Sequence, residues 1–141
     1  MRMAFILADE GTCDRKKVGA IIVRDGRCIS WGYNGAPPGM PHCDENNHGW
    51  GKVKAPAGLA TEGCINATHA EANALAFAAR QGISTDDATL FVSVSPCLDC
   101  ARLLIAAGIS TVIYSQAYRL PAGRELLEKA GVTCRMVTRP S

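Results

Sequence analysis

From residue 70 onward the chain alternates segments of helical length with short β-rich runs, and each helical segment is closed by a glycine. Residues 70–81 form an alanine-rich amphipathic stretch ended by Gly82, and 98–107 and 124–130 repeat the pattern before Gly108 and Gly131. Between and after them lie β-rich runs at 89–94, 111–114 and 132–137. Strands separated by helices of about 10–13 residues need crossover connections, and these build a layered α/β domain. Upstream, runs at 18–23 and 28–33 flank Asp25-Gly26, the signal of a tight hairpin, so the sheet is expected to be mixed rather than purely parallel. A short helix over residues 1–10 is expected to bury Met3, Phe5, Ile6 and Leu7. Residues 34–68 are rich in Gly, Pro, Asn and His and have little periodicity. An irregular stretch of that length in a compact domain is either functional or hides elements that the pattern does not reveal. The last few residues read as a free tail.

Composition limits the function classes. The 141 residues suffice for one core and not two, which makes 1–141 a single domain. With 48% hydrophobic and 20% charged residues the chain is expected to fold. A formal charge of +2 is not the footprint of a protein that coats nucleic acid, so no polymeric nucleic-acid partner is expected. No apolar run approaches the roughly 18 residues that span a bilayer, and the start lacks a signal-peptide pattern. A cytoplasmic protein without a membrane partner is the expectation.

Seven cysteines remain to be explained. An odd number cannot pair fully within one chain, and in a reducing compartment clustered thiols bind metal or do chemistry. Cys28 and Cys134, among apolar or β-forming neighbours, read as small core hydrophobes. That leaves Cys13, Cys43, Cys64, Cys97 and Cys100, with His42, His48 and His69.

Ser95-Pro96-Cys97-Leu98-Asp99-Cys100 places two cysteines three apart at a helix start, where unpaired amides and the helix dipole favour thiolate. Alone, such a pair is equally a redox motif. Thr68-His69-Ala70-Glu71 opens another helix and supplies an imidazole with a carboxylate two residues on. Together they give His, Cys, Cys and a non-ligand Glu, the signature of a zinc deaminase. Two thiolates balance Zn2+, a neutral imidazole takes the third position, and the fourth corner of the tetrahedron is left for water. Water held there is acidic enough to act as hydroxide near neutral pH. Glu71 is the candidate proton carrier beside it.

These motifs resemble the cytidine/deoxycytidylate deaminase superfamily, and most closely its deoxycytidylate (dCMP) deaminases. Thr12-Cys13-Asp14-Arg15 leading into Val18-Gly19-Ala20, Gly32-Tyr33-Asn34-Gly35-Ala36-Pro37 and Gly39-Met40-Pro41-His42-Cys43 carry the same resemblance, as do Tyr114 and Tyr118. It runs from about residue 10 to residue 136. It implies a three-layer α/β/α fold with a mixed, about five-stranded sheet, zinc at two adjacent helix starts, and hydrolysis of dCMP to dUMP and ammonia, supplying dUMP for thymidylate synthesis. It also implies that Asn34 contacts the nucleotide, that Tyr118 packs on base or sugar, that the Ala70 amide meets the pyrimidine carbonyl, and that the Ser95 carbonyl receives the exocyclic amine. Asn34 is as readily a turn residue in the left-handed region, and Tyr118 a buried interface ring. Arg15, Arg24, Arg27, Arg119 and Arg124 all stand as candidates for the phosphate.

The resemblance further implies a second, closed zinc site pinning residues 34–68. Its ligands would be Cys13, Cys43 and Cys64 with His42, or His48 in its place. Cys64 precedes His69 by the family's C-x4-H spacing. A homo-oligomer is implied, a hexamer ahead of a dimer, with apolar stretches such as 103–107 available for assembly, and so are dCTP and dTTP as regulators with Mg2+ beside a regulatory nucleotide. Two other functions compete: deamination of a different cytosine or adenine substrate, such as a modified dCMP, a free nucleoside or a tRNA adenosine, and a non-catalytic zinc-stabilised paralogue. Retention of Glu71 speaks against the last, since a purely structural site needs no proton carrier.

Overall fold

The computed structural model describes residues 1–13, 16–43, 50–53 and 61–141, with backbone alone at 50–53 and 61–63. A helix α1 (Arg2–Asp9) is followed by a hairpin of β1 (Gly19–Arg24) and β2 (Arg27–Tyr33). The turn has the chemistry its residues dictate: Asp25 and Gly26 both take positive φ, at 51° and 71°. This matches the right-handed twist of the flanking strands. Next come β3 (Trp50–Val53), β4 (Thr61–Cys64), α2 (Ala70–Arg80), β5 (Thr89–Val94), α3 (Leu98–Ala106), β6 (Thr111–Gln116), α4 (Ala122–Lys129) and β7 (Thr133–Met136).

Five strands form the main sheet in the order β2-β1-β5-β6-β7. β1 is antiparallel to both β2 and β5, whereas β5, β6 and β7 are mutually parallel. Parallel neighbours require crossovers, and α3 and α4 provide them. One face of the sheet (Ala20, Ile22, Leu90, Val92, Val112 and Tyr114) packs with Ala70 and Ala74 of α2, Ala101 and Leu104 of α3 and Leu127 of α4. α1 lies on the other face. The mixed three-layer architecture thus agrees with expectation.

Four expectations need correction. α1 does not bury Met3 and Ile6, which are 55% and 64% exposed, while Phe5 and Leu7 are only half-buried; its buried residues are Ala4 and Ala8. The cause is closeness to the sheet: a Cβ on Gly19 would lie 2.0 Å from the Ala4 carbonyl oxygen and 2.6 Å from the Ala8 nitrogen, so only small residues fit between. Cys28 is exposed on the edge strand β2 rather than part of the core, whereas Cys134 is half-buried against it. The 34–68 stretch holds an antiparallel β3/β4 pair and an isolated bridge between Gly35 and Thr68. The C-terminal tail is not free along its length, because the Arg139 guanidinium lies 4.5 Å from the centre of the Phe5 ring.

The topology gathers one set of ends. Gly19 pairs with Tyr33 and Ala20 with Val92, so the start of β1, the end of β2 and the end of β5 share one rim of the sheet. β6, parallel to β5, ends there too. Open α/β sheets bind ligands outside the carboxyl ends of their parallel strands.

Candidate metal centre

His69 is the N-cap of α2 and Cys97 the N-cap of α3. Both have extended backbone, which turns their side chains toward the rim. The His69 Nδ1 lies 3.4 Å from the Cys97 Sγ and 3.4 Å from the Cys100 Sγ. All three ligand atoms fall within 4.8 Å of one another. A tetrahedral zinc with bonds of roughly 2.0–2.1 Å to nitrogen and 2.3 Å to sulfur sets N and S about 3.5 Å apart. The donor set and its spacing therefore fit zinc, with one corner left without a ligand among the described residues.

The electrostatics of the cluster point the same way. The hydrogen bond from Cys100, with a smaller one from His69, lowers the Cys97 thiol to about 4, and the thiolate then pushes Cys100 far up. The hydrogen bond with Cys97 lifts His69 to about 9. A bound cation would take the place of the protons that these three groups share. Glu71 is 4% exposed, and burial raises its carboxyl to about 7. A carboxyl poised near neutrality can both take up and release a proton at physiological pH.

A cavity of about 280 Å³ opens over this cluster. His69, Ala70, Glu71, Ser95 and Cys97 line it, and so do Asn34, Tyr118 and Arg119 from strand-end loops. Asn34, Ala70, Ser95 and Tyr118, the residues that the resemblance places on base and sugar, all line it. Asn34 is buried but not in the left-handed region, whose non-glycine occupants among the described residues are Asp25 and Asp87. Its Oδ1 accepts the Val18 N–H at 2.7 Å and its Nδ2 donates to the Lys16 carbonyl at 2.5 Å, which fastens the approach to β1 against the exit from β2. Tyr118 is half-buried, with the Arg119 guanidinium 5.6 Å from its ring centre.

Of the five arginine candidates, only Arg119 among the described residues lines the cavity. Arg24 donates to the Ser84 carbonyl, Arg27 is exposed at the hairpin, Arg124 faces Glu128, and Arg15 lies outside the described residues. Sequence reasoning missed Lys16, the second cation of the lining. The signal was available in its position, just before a strand whose start lies at the rim.

The other thiols are only partly brought together. The Cys43 and Cys64 sulfurs lie 3.5 Å apart. Cys13 is buried and lines the cavity with Cys64, and His42 is exposed. Among the described residues, only His69, Cys97 and Cys100 form a group of three or more side chains close enough to share an ion. His48 lies outside the described residues.

Known proteins bear on this geometry. A family model described as the cytidine and deoxycytidylate deaminase zinc-binding region matches residues 1–116. The chain belongs to the cytidine and deoxycytidylate deaminase family. The deoxycytidylate deaminase of Enterobacteria phage T2 is 33% identical over 164 residues, covering 94% of this chain and 87% of the phage protein. ComE operon protein 2 of Bacillus subtilis (strain 168) is 38% identical over 138 residues, 97% of this chain and 68% of that one. The crystal structure of the dCMP deaminase from cyanophage S-TIM5 in complex with dCMP and dUMP superposes with a TM-score of 0.79 at 31% identity, covering 96% of this chain and 92% of that one. Membership in this family is consistent with zinc as the ion that His69, Cys97 and Cys100 hold.

Proposed function

We propose that this chain hydrolyses dCMP to dUMP with release of ammonia. The reading is carried by one observation: a His, Cys, Cys set spaced for zinc and a buried glutamic acid open into a cavity that Lys16 and Arg119 also line. Likeness to a dCMP deaminase solved with dCMP and dUMP supports it. Bound zinc would activate the attacking water at the open coordination corner. Glu71 takes up one proton of that water and delivers it to the ring nitrogen, then carries the water's second proton from the hydroxyl newly bonded to ring carbon four to the amine as the C–N bond breaks, leaving a carbonyl and ammonia. The Ala70 N–H, at the first turn of α2 where amides have no helical acceptor, donates to the pyrimidine carbonyl. The Ser95 carbonyl accepts from the exocyclic amine, and Asn34 and Tyr118 hold sugar and base. Lys16 and Arg119 meet the phosphate, whose double charge suits a guanidinium and an ammonium.

Ammonia release measured with dCMP, CMP, cytidine and tRNA tests the reading. Release is expected to be fastest from dCMP. Release from tRNA alone, or from none of the four, overturns it.

The second zinc belongs to the same proposal, with Cys13, Cys43, Cys64 and His42 as ligands. Its support is the 3.5 Å approach of Cys43 to Cys64, with Cys13 buried at the cavity that Cys64 also lines. Cys13→Ser should lower the zinc content per chain from two to one while kcat stays unchanged. Metal analysis that finds one zinc in fresh, unchelated wild-type protein sinks this second site. A homo-oligomer, a hexamer before a dimer, is supported by large exposed apolar side chains, Trp31, Phe77 and Leu103 among them. Regulation by dCTP and dTTP with Mg2+ rests on the family resemblance.

A further inference from the structure

We propose that the Ser95 hydroxyl is a positioning group that latches the Tyr118–Arg119 segment over the cavity and, through Arg119, sets the preference for a phosphate-bearing substrate over its nucleoside. The inference rests on the nucleotide-deaminase reading and adds to it a role for the Ser95 hydroxyl, which no reaction step uses.

Ser95 lies between β5 and the metal-binding Cys97. It carries two bonds to the same neighbouring segment. Its N–H donates to the Gln116 carbonyl at 2.8 Å, which extends the β5/β6 pairing past the end of β5. Its Oγ accepts the Tyr118 N–H at 2.7 Å. Ser95 is 7% exposed, so this acceptor is shielded from water, and removing it leaves the Tyr118 amide without its partner.

The segment so held is the short link from β6 to α4. Its far end is also fixed, because a Cβ on Gly123 would lie 2.2 Å from the Pro96 carbonyl oxygen and 2.7 Å from the Cys97 carbonyl carbon. The start of α4 therefore sits directly on the metal-binding loop. Between these two anchors are Tyr118, which lines the cavity, and Arg119, whose guanidinium lies 5.6 Å from the Tyr118 ring centre. Arg119 is exposed, and an exposed arginine loses much side-chain freedom when it binds an anion. Fixing its backbone and resting its head on a ring lowers that ordering cost before the ligand arrives. The lining holds two cations, Lys16 and Arg119, and Glu71 is its only carboxyl among the described residues. An anionic phosphate is therefore the group that this loop placement favours.

The chemistry at the metal does not pass through the hydroxyl. Its loss should act on binding, and most strongly when the ligand carries phosphate. Steady-state kinetics with dCMP and deoxycytidine provide the test, together with titration calorimetry of dUMP and deoxyuridine and zinc content per chain. Ser95→Ala should raise the KM for dCMP and weaken dUMP about 10-fold, the size of one lost charge-assisted contact. It should leave zinc content at the wild-type level and weaken deoxycytidine and deoxyuridine much less than their phosphorylated counterparts, so that the preference for dCMP over deoxycytidine in kcat/KM falls. Ser95→Thr, which keeps the hydroxyl, should restore the KM. In an Arg119→Ala background Ser95→Ala should change the KM for dCMP by less than about twofold, since two residues acting through one contact are not additive.

Equal weakening of dCMP and deoxycytidine overturns the proposal, as does a fall in kcat at constant KM or full additivity with Arg119→Ala. In each of these cases a wild-type preference for dCMP leaves the nucleotide reading intact. A wild-type protein that binds dUMP no tighter than deoxyuridine overturns both.

Discussion

His69, Glu71, Cys97 and Cys100 of the metal centre come from the first turns of α2 and α3, whereas Lys16, Asn34, Tyr118 and Arg119, which line the cavity beside it, come from loops adjoining β1, β2 and β6. Helix geometry fixes the first group. A cysteine N-cap and a second cysteine three residues on project from one turn, and Ala101 and Leu104 anchor that turn in the core. The second group has no helix behind it. Its placement depends on hydrogen bonds between segments far apart in sequence, those of Asn34 to Lys16 and Val18 and of Ser95 to Tyr118. The side that performs chemistry is stiff by local geometry, and the side that recognises the substrate is stiff through a few long-range bonds. Perturbing the first should change turnover, and perturbing the second should change affinity and stability.

The largest effect is expected on the metal side. Glu71→Gln should lower kcat by about 10²–10⁴-fold, because it removes the proton carrier. Zinc content by atomic absorption and the KM for dCMP should hold. A variant that keeps wild-type kcat assigns the proton transfer to another group. On the loop side, Asn34→Ala removes two buried side-chain hydrogen bonds and leaves the Val18 N–H without its side-chain acceptor. A loss of about 1–3 kcal/mol in denaturant unfolding is expected, with a higher KM. Unchanged stability would show that the two loops hold without the carboxamide. Arg119→Ala should raise the KM for dCMP about 10-fold with kcat unchanged, and the difference from wild type should shrink as salt screens the phosphate. A salt-independent difference would point to packing rather than charge.

The smallest effect serves as the control for both sides. Gly26 has φ +71° with no heavy atom within 4 Å of an added Cβ, and it lies at the opposite end of β1 from the cavity. Gly26→Ala should cost about 1 kcal/mol of stability through backbone strain alone and leave kcat and KM untouched. A kinetic change there would mean that the sheet transmits strain to the rim, and the contrast between the two sides would lose its basis.

What was legible in the sequence follows the same division. The ligands and Glu71 were readable because each motif is local: a few residues at a helix start bring both sulfurs to one side wherever the helix later packs. β5 (Thr89–Val94) and the Asp25-Gly26 turn were readable for the same reason, since a short apolar β-rich run and turn chemistry act over a few residues. The face of α1 was misread because apolar periodicity reports which residues could be buried, not how near the helix approaches; the bare backbone of Gly19 admits alanines and leaves Met3 and Ile6 outside. The β3/β4 pair escaped because two four-residue strands carry too short a pattern to stand out from a glycine-rich stretch. Cys28 was misplaced because β2 is an edge strand, a fact about neighbours rather than about residue 28.

By itself the sequence determined the mixed α/β character and singled out the His, Cys, Cys triplet that the fold gathers closely enough to hold an ion, with the carboxyl beside it, because element lengths and short motif spacings need no knowledge of distant residues. Only the tertiary structure decided which cations share the cavity and how the recognition loops are held. Lys16, Asn34, Ser95 and Arg119 span about 100 residues of chain and meet only because β1 runs antiparallel to β5 while β6 runs parallel to it. Strand order and direction bring those ends to one rim, and no local pattern encodes that order.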